Sequence, residues 1–168
     1  MSFIGIIASQ KQAEQIKKDI KNLKVEIISI NTKSIENIKN IKFDILIIYD
    51  TFKKLEGKEK YIQEILKNSK YLLLNTDIDM EKEILEGINV NIITYGLNQK
   101  ATITASSIGE NEIIICVQRA FKDINNKIIE QNEVRRKLRG NNTKDIYNSL
   151  IKETIINICG SENRKKFH

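Results

Sequence analysis

Residues 71–77 read Tyr-Leu-Leu-Leu-Asn-Thr-Asp, and the prediction of the fold class begins with this segment. An apolar run that ends in a polar turn is typical of a strand that is buried on both faces of a sheet. Similar runs occur at Phe3–Ala8, Val25–Ile30, Phe43–Tyr49 and Val90–Thr94. Strands that are apolar throughout predict a mostly parallel sheet whose faces are both covered.

Helical patterns lie between these strands. Apolar residues recur at the three- and four-residue spacing of a helix after the first strand and again before Tyr71. The first face is Ala13, Ile16, Ile20 and Leu23, and the later one is Tyr61, Ile62, Ile65 and Leu66. Shorter helices are predicted at Ser34–Asn40, with Ser34 as the N-cap, and at Met80–Leu85, ending near Gly87. Strands that alternate with helices predict a Rossmann-like α/β fold with right-handed crossovers.

The pattern changes after Gly96. Ala101–Ser106 alternates apolar and polar residues, and Glu112–Phe121 is predicted to be one further strand. A turn at residues 123–126 precedes Lys127–Leu138, which is predicted to return as a single strand. Its period of two places Val134 and Leu138 on one face and Arg135, Lys137 and Arg139 on the other. These segments predict a small antiparallel β-meander.

A C-terminal helix is the clearest element of the second half. Its apolar stripe runs from Ile146 to Ile155, Asn142 or Thr143 can cap its start, and Gly160 is suited to end it. The prediction is a single domain over residues 1–160, followed by a polar tail at 161–168. Its parts are a parallel α/β region at 1–98, the meander at 99–140 and the helix at 143–160.

Composition and charge exclude several classes of protein. With 40% apolar and 30% charged residues among 168, the chain is too apolar to be disordered. The net charge is +6, with basic clusters at Arg135–Arg139 and Arg164–Lys166. Neither cluster contains an aromatic residue on which bases could stack, so nucleic acid is an unfavoured partner. A nucleic-acid binder that uses the Arg135–Arg139 strand stays open as an alternative.

The cysteines, the single histidine and the hydropathy of the chain indicate its cellular location and whether it binds a metal or a membrane. Cys116 and Cys159 lie in apolar surroundings, which is typical of buried free thiols in a reducing cytoplasm. The only histidine is His168, so no metal site is expected. The longest apolar runs fall well short of the roughly 20 residues that span a bilayer, and the Met1 segment does not read as a signal peptide. A cytoplasmic protein with no membrane partner is expected.

Three segments, in this order, resemble one known family. They are Leu73–Asp77, Ile93–Ile108 and Leu138–Leu150, the last of which contains Leu-Arg-Gly and then Ile-Tyr-Asn-Ser-Leu. Together they resemble the later part of the central ATP-binding domain of Mur ligases and their folylpolyglutamate synthase relatives. The resemblance covers roughly residues 43–160, and within it the similarity is weaker at Ile48–Asp50 and in the Glu59–Lys67 helix.

The resemblance implies a cofactor-binding site and a link to a metabolic process. Asn75, Asp77 and Asn148 match family positions near the nucleotide, so they are the candidate cofactor-binding residues. ATP and magnesium are implied by the resemblance alone, as is a link to cell-wall (peptidoglycan) metabolism.

Departures from the family pattern concern the chemistry itself. Ala8–Gln12 follows the first strand and lacks the glycines of a phosphate loop, and Gly57-Lys58-Glu59 has no hydroxyl after the lysine. Asp50 is followed by Thr51 where the family has a metal-binding histidine, and Lys144-Asp145 replaces a His-Asn pair. The chain also ends near the point where a ligase's third domain would begin.

Each candidate residue also has a purely structural interpretation. Asn75 can cap a turn and Asp77 can start the next helix, while Asn148 can be a helix-packing residue. Gly96 and Gly140 are expected to be turn glycines, and Tyr95 and Tyr147 core or half-core residues. No catalytic residue is predicted, because no internal histidine could activate Ser106 or Ser107, and Asp77 and Asp79 are expected to be exposed.

These observations predict a non-catalytic Mur ligase-like module that binds a protein partner or a small ligand. Two alternatives stay open at this point. One is a nucleotide-binding protein without hydrolysis. The other is a subunit of an ATP-dependent amide ligase that another chain completes.

Overall fold

The structure, a computed structural model, describes residues 1–49, 55–79 and 82–160. It contains two compact units. The first consists of Met1–Leu74 and Ile78–Ile92, and the second of Asn75–Asp77 and the chain from Ile93 onward. The division at Ile93 lies close to the change of pattern noted at Gly96.

The first unit contains parallel strands. They are β1 (Ser2–Ile7), β2 (Val25–Ile30), β3 (Ile45–Ile48) and β4 (Tyr71–Asn75), in the order β2-β1-β3-β4. β1 lies between β2 and β3, and its Ile4 is beside Ile27 of β2 and Ile45 of β3. The apolar residues of β3 and β4 are buried without alternation, as the continuous runs predicted.

Helices cover this sheet. They are α1 (Gln10–Ile20), α2 (Glu59–Lys67) and 3-10 helices at Thr32–Ile38 and Lys82–Leu85. α1 buries Ala13, Ile16 and Ile20, which confirms the predicted face. The predicted N-cap Ser34 is wrong, because the side chain of Asn31 accepts the Lys33 amide at 2.8 Å and starts the helix earlier. Ser34 has non-helical backbone angles inside that segment.

Isoleucine and leucine form the core of the first unit. One cluster joins the strands to α2 and the two 3-10 helices, and Phe3 and Phe43 stack with ring centroids 5.2 Å apart. Few aromatic residues are needed, because β-branched and leucine side chains fill the space between the layers. The cluster includes Ile7, Ile30, Phe43, Leu46, Ile62, Leu66, Leu72 and Ile84.

The second unit contains the meander. Its strands are β5 (Asn91–Tyr95, which begins in the first unit), β6 (Ile103–Ile108), β7 (Glu112–Val117) and β10 (Asn132–Lys137), in the order β5-β6-β7-β10. β5 and β6 are parallel, whereas β6, β7 and β10 are antiparallel. β8 (Phe121–Lys122) and β9 (Ile128–Ile129) form a separate small hairpin.

Two strand predictions in this region are wrong. Glu112–Phe121 and Lys127–Leu138 were each expected to be one strand, but each is divided in two. The breaks fall at residues 118–120 and 130–131. Between them the buried Asp123 carboxylate accepts the amides of Asn125 and Lys127 at 2.8 and 2.9 Å, which closes the turn that joins β8 to β9.

The last helix, α3, spans Thr143–Ile158 and packs against β6 and β7. Asn142 caps it by accepting the Asp145 amide at 3.0 Å, as one of the two predicted caps. Gly160 follows the helix with φ +84°, the left-handed conformation expected there. The predicted fold class is confirmed: a Rossmann-like α/β protein with a mostly parallel sheet, a small antiparallel meander and a C-terminal helix. In the part of the chain that the structure describes, no helix combines the length and hydropathy needed to cross a membrane.

Candidate functional site

The turn after β4 is built by Asn75 and Thr76. The Asn75 side-chain oxygen accepts the Asp77 amide at 2.9 Å, and the Thr76 amide donates to the Tyr95 carbonyl at 2.9 Å. The Thr76 hydroxyl also faces that carbonyl at 3.3 Å. Asn75 therefore caps a turn, which confirms the structural interpretation of this residue.

The Asp77 carboxylate is the centre of the site. It accepts the backbone amides of Leu97 and Asn98 at 2.6 and 3.2 Å. It also accepts the Asn98 side-chain amide at 2.7 Å and the Tyr147 hydroxyl at 3.0 Å. The expectation that Asp77 starts the next helix is wrong, because its carboxylate instead holds the turn after β5 and a tyrosine of α3.

Gly96 is where these two turns approach each other. A Cβ atom at this position would lie 2.6 Å from the Thr76 hydroxyl oxygen and 2.9 Å from a carboxylate oxygen of Asp77. Gly96 is therefore a turn glycine that is required by close packing, as predicted. Gly140 also lies in a turn, where a Cβ atom would meet the Asp145 carboxylate.

Tyr147 connects α3 to this cluster. Its ring meets that of the buried Tyr95 edge-on, with centroids 6.1 Å apart and planes at 75°. Burial raises the pKa of the Tyr147 hydroxyl, and the hydrogen bond to Asp77 and the charge of that carboxylate raise it further. A side-chain interaction with Asn75 acts on this pKa in the opposite sense. The phenol therefore stays protonated, and able to donate, throughout the neutral range.

Replacing Tyr147 with phenylalanine should lower the free energy of unfolding by about 1 kcal/mol, the usual contribution of one hydrogen bond. The effect should depend on pH. A pKa raised in the folded state stabilises that state below the ordinary value of 10.0, and this contribution disappears as the pH rises through the raised pKa. Urea unfolding of both proteins between neutral and strongly alkaline pH should thus show the difference shrinking at the alkaline end. A difference that is constant with pH would contradict the assigned hydrogen bond.

Two buried asparagines lie near this cluster. Asn75 and Asn148 are only 3% and 6% exposed. The Asn75 side chain interacts with the Tyr147 hydroxyl, whereas the Asn148 side-chain oxygen has no hydrogen-bond partner in the part of the chain that the structure describes. Buried polar atoms are nearly always paired, so this acceptor is the feature that a ligand could satisfy. Asn148 directly follows Tyr147 in α3, so all three cofactor-binding candidates are joined through Asp77 and Tyr147.

The turn after β1 differs from a phosphate loop. Only Ala8 and Ser9 separate β1 from α1. The Ser9 hydroxyl accepts the Gln12 amide at 3.4 Å and donates to the Gln12 side chain at 2.9 Å. The first turn of α1 is thus capped by the protein's own side chains. A groove of about 590 Å³ lies beside it, lined mainly by α1 and β2.

The other Gly-Lys pair is also engaged within the first unit. The Gly57 amide donates to the Glu59 carboxylate at 2.7 Å, and the Lys58 ammonium donates to the Thr32 carbonyl. Both groups therefore serve the start of α2 and its neighbouring loop.

The remaining predicted residues lie apart from the cluster or outside the described residues. Cys116 and Cys159 form no disulfide bond and are half-buried, so the expectation of full burial is wrong. Burial and, to a smaller extent, Glu133 raise the pKa of Cys116. Among the described residues, no group of histidine, cysteine and acidic side chains could hold a metal ion. Predictions that involve Asp50, Thr51, Met80, Arg164–Lys166 and His168 fall outside the described residues.

Sequence reasoning missed Asn98 and Arg136. Asn98 supplies two of the donors to Asp77, and its side chain also donates to the Thr76 hydroxyl at 2.7 Å. Arg136 forms a bidentate pair with Glu153 of α3 at 2.8 and 3.2 Å. A signal for Arg136 was present, because the period of two places it between Val134 and Leu138 on the covered face of β10.

Comparisons with known proteins add no identification: neither a family model nor a curated protein matches this chain.

Proposed function

We propose that this chain is a non-catalytic Mur ligase-like module that binds a ligand and does not turn over ATP. The main support for the proposal is the set of hydrogen bonds that the Asp77 carboxylate accepts. This carboxylate, which the resemblance places near a nucleotide, accepts four hydrogen bonds from the protein's own groups. An acceptor used in this way stabilises a turn and a helix, and little capacity is left for a magnesium ion or a reacting group.

The turn after β1 supports the same proposal. Phosphates need several backbone amides that point toward one place, together with a nearby cation. Here the first turn of α1 is capped by Ser9 and Gln12, and the connection from β1 is two residues long. A link to cell-wall metabolism remains part of the proposal through the resemblance alone.

Turnover assays test the proposal directly. Purified protein should hydrolyse no ATP above the background of an Asp77→Asn variant, with and without Mg²⁺, and should ligate no amino acid to a wall-precursor acid. Magnesium-dependent turnover that the variant abolishes would contradict the proposal. Turnover that appears only after a second native chain is added would favour the alternative of a ligase subunit completed in trans.

A nucleotide is the second candidate, as a ligand that is bound without hydrolysis. The unpaired acceptor of Asn148 favours it, because the amino group of an adenine edge is a complementary donor. Calorimetry with ATP, ADP and adenosine at up to millimolar concentration would detect binding as weak as about −4 kcal/mol. Because the protein has no phosphate-binding loop after β1, the phosphates should add little affinity, and the three ligands should bind with similar affinity.

The variant Asn148→Leu separates a ligand role from a packing role. Removing an unsatisfied buried acceptor should leave stability unchanged or raise it by up to about 1 kcal/mol. The same change should abolish adenosine binding, whereas Asn111→Ala on an exposed loop should not affect it. No heat from any of the three ligands with the unmodified protein would rule out the nucleotide candidate.

A further inference from the structure

β10 is an edge strand, and the backbone groups on the side away from β7 come from its basic residues. Among the described residues it pairs with β7 alone, at the end of the strand order of its unit. The Leu138 amide donates to the Asn111 carbonyl at 2.9 Å, in register with the β10–β7 ladder. Backbone groups alternate sides along a strand, so Val134, Arg136 and Leu138 point their amides at β7. The amides and carbonyls of Arg135 and Lys137 therefore face outward.

The side chains of the same residues carry a row of positive charge. Arg135 and Lys137 are exposed and share one face of the strand, and the exposed Arg139 follows two residues beyond its end. Arg135 meets Glu112 at 3.3 Å, but this pair is exposed, with side chains 68% and 50% accessible, and so contributes little. Arg136 is turned to the opposite face, where Glu153 holds it. The charges recur every second residue, at the spacing of side chains on an adjacent strand.

A groove runs between β10 and α3. Its volume is about 1220 Å³, and it is lined by Asn111, Glu112 and residues 135–139 together with Ser149, Lys152 and Glu153. Five of these residues are cationic and two are acidic, and the acidic ones each pair with an arginine of the strand. The groove is thus electropositive and open along a strand edge that can still form hydrogen bonds.

We propose that the free edge of β10 binds an extended acidic segment of a partner protein as an added strand. The carboxylates of that segment lie opposite Arg135 and Lys137, because side chains of neighbouring strands on one face lie about 5 Å apart. Its backbone pairs with the outward amides and carbonyls of Arg135 and Lys137. A peptide fits better than nucleic acid, since the groove has no aromatic residue for base stacking and its open backbone groups match a strand.

Peptide binding tests the charge pattern. A fluorescein-labelled peptide Thr-Glu-Val-Glu-Thr-Glu-Val should bind the full chain, and its anisotropy signal should weaken as salt is added. The peptide Glu-Glu-Glu-Thr-Val-Thr-Val has the same composition without the alternation and should bind at least fivefold more weakly. The double variant Arg135→Gln/Lys137→Gln should weaken binding about tenfold, whereas Lys11→Gln/Lys18→Gln, with the same charge change on α1, should not.

Strand addition is tested through the backbone. Lys137→Pro and Lys137→Gln both remove the charge, but only proline removes the outward amide, and proline is tolerated at that side of an edge strand. The proline variant should therefore bind about five- to tenfold more weakly than the glutamine variant, the effect of one lost hydrogen bond. Because a proline can also disturb folding, the alternating peptide N-methylated at its central residues is tested on the unmodified protein and should lose binding.

Three results would overturn the proposal. They are equal binding of the N-methylated peptide, equal loss in the α1 control variant, and tighter binding of a single-stranded or duplex oligonucleotide than of the alternating peptide. The last result would identify β10 as a phosphate-binding strand instead.

Discussion

Replacing Arg136 with methionine should lower the free energy of unfolding by about 3–5 kcal/mol, the cost of leaving one member of a buried ion pair without its partner. The Glu153 side chain is 6% exposed and the Arg136 side chain 21%. Two guanidinium nitrogens reach the two carboxylate oxygens at 2.8 and 3.2 Å, and the Asn157 amide approaches the same carboxylate at 3.4 Å. Methionine fills a similar volume, so the loss reports the charge and its hydrogen bonds rather than a cavity.

Urea unfolding of three variants measures this effect. Arg135→Met, one residue away, removes an exposed pair with Glu112 and should cost at most about 1 kcal/mol. The double variant Arg136→Met/Glu153→Leu should recover most of the stability, because it removes the unpaired charge as well. If Arg136→Met cost no more than Arg135→Met, the buried pair between β10 and α3 would not exist as described.

The parallel half of the fold was accessible to sequence reasoning because its signal is local. A strand that is buried on both faces must be apolar along its length, so β4 was predicted to within one residue. β2, at the end of the strand order, was predicted with its observed limits, Val25–Ile30, because apolar residues still dominate it. α3 was predicted for the same reason, since an amphipathic stripe, a capping asparagine and a final glycine all lie within one segment. In these elements local preference and tertiary structure agree.

The meander was predicted less well because its alternating pattern does not mark where a strand ends. The run from Lys127 to Leu138 has one alternating pattern, yet Ile128–Ile129 pairs with β8 in a separate hairpin whose turn the Asp123 carboxylate closes. Similarly, Asn31 and Ser34 are both acceptable caps in sequence, and only the structure shows which one accepts an amide.

The candidate site could be located but not explained from the sequence. Asn75 as a turn cap follows from residue type and position alone. Asp77 receives its bonds from residues 20, 21 and 70 positions away, a separation that no periodicity reveals. Arg136 was partly predictable. Its position on an apolar strand face indicates that its charge needs a buried partner, but the sequence does not identify Glu153 as that partner.

Replacing Gly96 with alanine should lower the free energy of unfolding by about 2–3 kcal/mol, the range of an overpacked buried position. The new Cβ would lie 2.6 Å from the Thr76 hydroxyl and within 3.0 Å of two Asp77 atoms. Neither side chain can withdraw freely, because Thr76 is held by Tyr95 and Asn98, and Asp77 by four donors. The methyl group is therefore accommodated only by breaking part of this network.

The pKa of Tyr147 gives this prediction a local readout. Because the Asp77 hydrogen bond and charge both raise that pKa, displacement of Asp77 should move it back toward the ordinary tyrosine value. Ultraviolet titrations of the unmodified protein and of Gly96→Ala measure the shift. From each, the titration of the same protein carrying Tyr147→Phe is subtracted, which isolates the Tyr147 phenol. Gly109→Ala is the matched control, because its Cβ would meet Glu112 at an ordinary 3.4 Å, and it should change stability by less than about 0.5 kcal/mol. If Gly96→Ala matched this control in stability while the Tyr147 titration stayed unchanged, the two turns would not be packed against each other. Asp77 could then not be the acceptor that joins residues 75–77 to the turn after β5 and to α3.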